Sequence, residues 1–266
     1  MSSPSTSFSF ISVDAPPLFR VGQSNLGQLG TFATTRLPLG TILIAESPLV
    51  TSPSLSDVPE ALASLSLASR EQFYSLANSF LTAGPSARSL ELGIWHTNSF
   101  ELPSPGSTGI FPICARFNHS CTPTAMASYH PPSGTVRVHC IKPEGIAPGE
   151  EIFTSYLTPR ELFRSSTEVR RRILEGGWSF VCGCTSCARE GDAAKQSDRR
   201  RLRIATLRES IPRLRPKEGE ASLILERVGR AMVLLKEEGL EGFRDQFATA
   251  AGNVCAFHGD FKSSGR

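Results

Sequence analysis

Arg116-Phe117-Asn118-His119-Ser120-Cys121-Thr122-Pro123 is the stretch on which the reading of this chain turns. Alone, its Asn-His pair reads as a loop turn with an Asn cap. Its weight comes from two segments that follow in order. Gly149-Glu150-Glu151-Ile152-Phe153-Thr154-Ser155-Tyr156 reads as a turn running into a strand that ends on a tyrosine. Beyond it, Cys182-Gly183-Cys184-Thr185-Ser186-Cys187 crowds three of the chain's seven cysteines into six residues, with Phe180 just ahead of them.

Closely spaced thiols in a chain without a secretory leader are more often metal ligands or redox groups than halves of disulfides. A structural zinc takes four soft or borderline ligands in a tetrahedron, and C-x-C-x2-C brings three thiolates to one ion. The fourth corner is open to Cys114, Cys121, Cys140, Cys255 or any of the five histidines, and spacing does not choose among them. Clustered thiols left free would be prone to oxidation, which disfavours a metal-free turn.

Taken together, N-H-S-C-x-P, then G-E-E-I-x-x-S-Y, then F-x-C-x-C-x2-C resemble the SET-domain protein-lysine methyltransferases in order and in gaps. The resemblance runs from about residue 18 to 188. It is nearest in character to the SET-MYND branch and its fungal relatives, but residues 51–110 contain no cysteine for a MYND zinc module. The family's fold is mainly β with α: short sheets around a knot-like crossing, which is a rare exception to unthreaded topology. The resemblance implies residues 18–158 as the SET domain, with a helical insert at about 55–95. It also implies a zinc-binding post-SET segment at 159–190; the Ser- and Pro-rich start over 1–17 reads as frayed, and the charged, then periodic stretch at 191–266 as a C-terminal helical region.

Carried over by position, the resemblance makes Cys121 the fourth zinc ligand beside Cys182, Cys184 and Cys187. It makes Tyr156 the catalytic tyrosine. Asn118, His119 and Tyr156, with Phe180 against the adenine, would hold S-adenosylmethionine. The donor-binding G-x-G resembles Gln28-Leu29-Gly30, in which Gln28 stands where the first glycine is usual, and Asn98 resembles a further position facing the donor. Phe100, Tyr156 and Trp178 would wall a lysine channel, with Trp178 where most members have tyrosine. The departures at Gln28 and Trp178 leave a rival reading, a SET-like binding or scaffold module without catalysis.

The remaining sequence frames these motifs. Thr41–Ala45, Thr108–Phe111 and Thr135–Ile141 read as short strands, with Val136, Val138 and Cys140 alternating against polar neighbours. Ala61, Leu65, Leu67, Phe73 and Leu76 recur at helical spacing in the insert. Ile224, Val228, Ala231 and Leu235 form one apolar stripe ending at Gly239. The run Arg199–Arg203 reads as a solvated helix face. A formal charge of +3 over 266 residues does not point to direct nucleic-acid binding. No stretch approaches the roughly 20 apolar residues that span a bilayer. The expected setting is a reducing nucleus or cytoplasm, and the resemblance implies a protein lysine, histone or non-histone, as the partner.

Overall fold

The structure is a computed structural model and describes residues 17–26, 29–80, 89–211 and 221–257. Most of the stretch expected to fray, and the donor-site candidate Gln28, lie outside them. An antiparallel hairpin of β1 (Phe19–Gln23) and β2 (Leu29–Ala33) opens the chain, with Gly22 opposite Gly30. After β3 (Ile42–Glu46) and β4 (Val50–Ser52) come three helices: α1 (Val58–Ala63), α2 (Leu67–Tyr74) and α3 (Leu90–Asn98). The strands resume as β5 (Ser99–Glu101), β6 (Thr108–Ile110), β7 (Asn118–His119), β8 (Ala125–His130), β9 (Thr135–Cys140) and β10 (Phe153–Thr154). Five helices complete the described chain: α4 (Pro159–Arg164), α5 (Thr167–Trp178), α6 (Gly191–Ser210), α7 (Ala221–Glu238) and α8 (Asp245–Phe257).

The sheets are small. One has the order β3-β9-β8, another β4-β6-β5, and both are antiparallel. Strand β9 shows the expected alternation, with Val136, Val138 and Cys140 buried and the residues between them partly exposed. Strand β8 carries almost no β-forming residues. It is extended because six consecutive pairs with β9, from Ala125↔Cys140 to His130↔Thr135, satisfy its backbone, which overrides its weak propensity. Beside these sheets, β7 and β10 form a parallel pair only two residues long, Asn118 opposite Phe153 and His119 opposite Thr154.

Three clusters of buried side chains organise the described residues. The insert packs around Val58, Leu62, Phe73, Ile94 and Trp95 together with Ile110 of β6. Leu67, read from the sequence as part of that stripe, is 82% exposed at the start of α2. The sheet core gathers Leu37, Phe111, Phe117, Val136, Val138 and Ile152. The third cluster joins Cys121, Cys182 and Cys187 to the apolar faces of the C-terminal helices, including the stripe Ile224, Val228, Ala231 and Leu235. Helix α7 stops where predicted, at Gly239, whose φ of 68° is one that glycine adopts without strain. A capping box between Thr158 and Glu161, with Pro159 in the first turn, starts α4.

One expectation fails here. Arg199–Arg203 is not a uniformly solvated face, because Arg201 is fully buried. Its guanidinium donates to the carbonyls of Leu162 (3.2 Å) and Cys121 (3.0 Å), to Ser186 Oγ (2.8 Å) and to Glu238 (3.2 Å). Glu238, also buried, accepts in addition from Arg189, Ser197 and Arg200. A charge is tolerated in the interior when it is paired and hydrogen-bonded in this way.

Candidate active site and metal centre

Strand β10 ends two residues before Tyr156, and its pairing with β7 sets His119 next to that tyrosine. The Tyr156 main-chain N–H donates to His119 Nδ1 at 3.0 Å, and the two rings lie 5.3 Å apart. The Tyr156 hydroxyl donates to the Phe117 carbonyl at 3.1 Å. Burial, reinforced by the charge of Glu151, pushes its pKa up, so it remains a neutral phenol.

Trp178 and Phe180 come from the far side. The Trp178 ring lies 5.2 Å from Tyr156, and the Phe180 ring stands edge-on to it at 6.4 Å and 6.1 Å from His119. The residue between them, Ser179, ends α5 in the left-handed conformation at φ 55°. That turn lets residues on either side of one position face the same tyrosine. Serine is an uncommon choice for it, since left-handed backbone favours glycine or asparagine.

On the other flank, Asn118 Nδ2 donates to the Leu29 carbonyl (3.1 Å) and to Glu151 Oε1 (2.8 Å), while Ser24 Oγ donates to Glu151 Oε2 (2.9 Å). Gly30 sits against this carboxylate; a Cβ there would fall 2.2 Å from Glu151 Oε1 and 2.9 Å from Asn118 Nδ2. The Glu151 and Asn118 side chains occupy the space that a side chain at residue 30 would need, so glycine is what lets them pack there. The Leu29, Gly30 and Asn118 candidates thus meet in one network centred on Glu151. Glu151 lies inside the quoted motif, yet nothing in its spacing announces that it would bind across the chain to Ser24.

Two further candidates make contacts of their own. The Asn98 amide donates to the carbonyls of Ala77 and Ile94, both at 2.7 Å, and so fastens the end of α3 to the insert. Phe100 packs edge-on to Phe111, ring centres 5.6 Å apart, within the sheet core. The aromatic group around Tyr156 is therefore His119, Trp178 and Phe180.

Beneath it, Cys121, Cys182, Cys184 and Cys187 converge, their sulfurs all within 4.8 Å of one another. Cys121 and Cys187 are 3.6 Å apart. Zinc–sulfur bonds of about 2.3 Å in a tetrahedron hold sulfurs about 3.8 Å apart, so four thiolates at these separations fit that ion. Hydrogen bonds among the thiols split their acidities, pushing Cys121 and Cys182 up and pulling Cys184 down, with Cys187 lowered to about 7. Arginines brace the loops: Arg171 donates to the carbonyls of Cys182 (3.2 Å) and Cys187 (2.8 Å), and Arg201 to that of Cys121. The other ring nitrogen of His119, Nε2, lies 3.4 Å from Cys121 Sγ. Burial lowers the His119 pKa to about 4, so the ring is neutral near neutrality.

A glycine without room for a side chain, a part-buried phenol and an aromatic wall lie over a four-cysteine cluster that could hold a metal ion. The SET domain profile matches residues 28–157. The histone-lysine N-methyltransferase set5 of Schizosaccharomyces pombe is 30% identical over 237 residues, covering 88% of this chain and 70% of that protein. The chain belongs to the SET-domain family of protein-lysine methyltransferases. Human protein-lysine N-trimethyltransferase SMYD5 is 40% identical over 87 residues, 32% of this chain, and the chain spans only 20% of that relative's length. Among solved structures, the SET domain of LSMT bound to lysine and AdoHcy covers 96% of this chain and 77% of its own at 12% identity, with a TM-score of 0.38.

Proposed function

We propose that this chain transfers a methyl group from S-adenosylmethionine to the side-chain amine of a lysine in a protein substrate, a histone being the first candidate given the name of its fungal relative. The bound cosubstrate supplies an electrophilic methyl on a positive sulfur. The observation that carries the reading is the convergence of Tyr156, His119, Trp178 and Phe180 on one spot, flanked by the Gly30–Glu151–Asn118 network.

The work of the protein's own residues follows from that spot. Phe180 and the backbone around Asn118 and His119 bind the cosubstrate, and the absence of a side chain at Gly30 leaves room for the Glu151 carboxylate and Asn118 amide that flank the site. Trp178 and Tyr156 exclude water from the lysine. A free lysine amine has a pKa of about 10.4 and must be neutral to attack, and a dehydrated aromatic channel favours that form. The Tyr156 proton is committed to the Phe117 carbonyl, which leaves the phenol oxygen's lone pairs to orient the amine and to face the positive charge of the methyl in transfer. Holding sulfur, methyl and nitrogen in line supplies most of the remaining acceleration. Zinc, held by Cys121, Cys182, Cys184 and Cys187, would fix the Asn118–Cys121 segment against the turn that carries Phe180. Phe100, packed on the sheet core, and Asn98, bonded within the insert, would act as supports. The setting implied is the nucleus or cytoplasm, and no described helix is long and apolar enough to cross a membrane.

The test is methylation of a panel of histones and other proteins by the purified chain, read by mass spectrometry, beside calorimetric binding of S-adenosylmethionine. Binding with transfer to lysine is expected. Tyr156→Phe should keep donor affinity and lose roughly a hundredfold or more in turnover. An unchanged rate in that variant would remove Tyr156 from the reaction. Donor binding without transfer to any member of the panel would favour the scaffold reading.

A further inference from the structure

Both nitrogens of the His119 ring are engaged by protein groups, and the identity of those groups fixes where its proton lies. A main-chain N–H can only donate, so the 3.0 Å contact from Tyr156 N makes Nδ1 an acceptor. A neutral imidazole with an acceptor at Nδ1 carries its hydrogen on Nε2. Nε2 faces Cys121 Sγ at 3.4 Å, within the range of an N–H donating to sulfur. His119 is 3% exposed, with the tilted rings of Tyr156 and Phe180 5.3 Å and 6.1 Å from its own, so it is held in place.

We propose that His119 is a positioning residue that ties the metal centre to the catalytic tyrosine through one fixed tautomer, Cys121 Sγ···H–Nε2 on one side and Nδ1···H–N of Tyr156 on the other. The inference rests on reading the cysteines as a metal site and Tyr156 as the catalytic phenol. A sulfur bound to a metal is a thiolate, and hydrogen bonds to a charged acceptor are the stronger kind. A ring that gives up part of its Nε2–H to that sulfur gains electron density, which makes Nδ1 the better acceptor for Tyr156. The state of the metal is thereby felt at the tyrosine's backbone across two hydrogen bonds. The short β7/β10 pair would not impose this by itself, since it spans two residues on each strand. In this arrangement the imidazole serves the scaffold, and it is the backbone of Asn118 and His119 that remains to face a cosubstrate.

Two substitutions separate the halves of the tie. His119→Asn can present an oxygen near the Nδ1 position and so keep the Tyr156 bond, while losing the donor to sulfur. His119→Gln can present an N–H near the Nε2 position and so keep the sulfur bond, while losing the acceptor. Each is prepared as the full chain with cobalt in the cysteine site. His119→Asn should shift the thiolate-to-cobalt charge-transfer band and release metal to a chelator about tenfold to a hundredfold faster. His119→Gln should keep the band and release rate and lose turnover at nearly unchanged donor affinity. A wild-type band and release rate in a folded His119→Asn protein would overturn the proposal.

Should the variants fail to fold, the wild-type protein decides. With cadmium in the site and nitrogen-labelled histidine, the ring should appear as the Nε2–H tautomer with a coupling from that proton to the cadmium nucleus. An Nδ1–H tautomer would overturn the tie. If wild-type protein instead takes up no cobalt on thiolates, or binds no S-adenosylmethionine, it is the reading of the site that falls; intact metal and donor binding with the wrong tautomer removes only the role of His119.

Discussion

A single left-handed residue decides whether the aromatic wall exists. Ser179 holds φ 55° so that Trp178 and Phe180, its neighbours on either side, both reach Tyr156. A non-glycine residue in this region costs of order 1 kcal/mol or more. Glycine would adopt the turn freely, and a β-branched residue would resist it. Ser179→Gly should therefore match or exceed the wild-type unfolding temperature and retain methylation. Ser179→Val should lower both, with the loss of donor affinity measured by calorimetry exceeding that in the glycine variant. Tyr156, Trp178 and Phe180 are each legible in the sequence from their places beside the motifs. The turn that converges them is not, because left-handed backbone is announced by glycine or asparagine and here it is filled by serine. Glu151 was hidden for another reason: its partners, Ser24 and Asn118, come from distant parts of the chain, and no local pattern encodes them.

Among the elements, the lock between α6 and α7 is built on charge. Burial by itself would raise the Glu238 carboxyl, but the Ser197 hydroxyl and Arg200, Arg201 and Arg189 outweigh it and hold the group below the ordinary value of 4.5. A carboxyl whose folded pKa is lowered stabilises the fold above its unfolded pKa, and that contribution disappears as the pH falls through the folded value. Glu238→Ala, which leaves Arg201 buried without its counter-charge, should destabilise by about 3–5 kcal/mol in chemical denaturation near neutral pH. Glu238→Gln should show a weaker loss of stability than the wild type as the pH drops from 5 toward 3, since it has no such charge to lose. The apolar stripe of α7 was readable because its spacing is local. The arginine run on α6 was misread because Glu238, the group that draws Arg201 inside, stands 37 residues away. Strand β8 escaped notice for a similar reason, its extended form being dictated by β9 rather than by its own side chains.

Across the whole molecule, the cysteines and the aromatic group share one core with the C-terminal helices. Cys121, Cys182 and Cys187 are buried in the C-terminal cluster, and Tyr156, Trp178 and Phe180 pack against that same cluster. Metal, active site and C-terminal helices should then fail together. Cys184→Ser is expected to lose its metal, measured by elemental analysis, together with most of its donor affinity and the cooperativity of thermal unfolding. Full donor affinity in the metal-free variant would separate the site from the cluster. The overall architecture was legible because three motifs fall in order along the chain, and the cysteine spacing gave three members of the four-cysteine cluster. The fourth member required the family resemblance, since Cys121 is no better placed in sequence than Cys114 or Cys140.

The two-residue pairing of β7 with β10 bears on how the protein is made. Everything from Phe19 to Tyr156 leaves the ribosome before Cys182 does, and so small a patch of parallel strand is too slight to keep the tyrosine beside its histidine unaided. A nascent chain stalled between Tyr156 and Cys187 would carry the whole sheet region yet be inert, and competence would arrive late in synthesis, as the last thiols emerge.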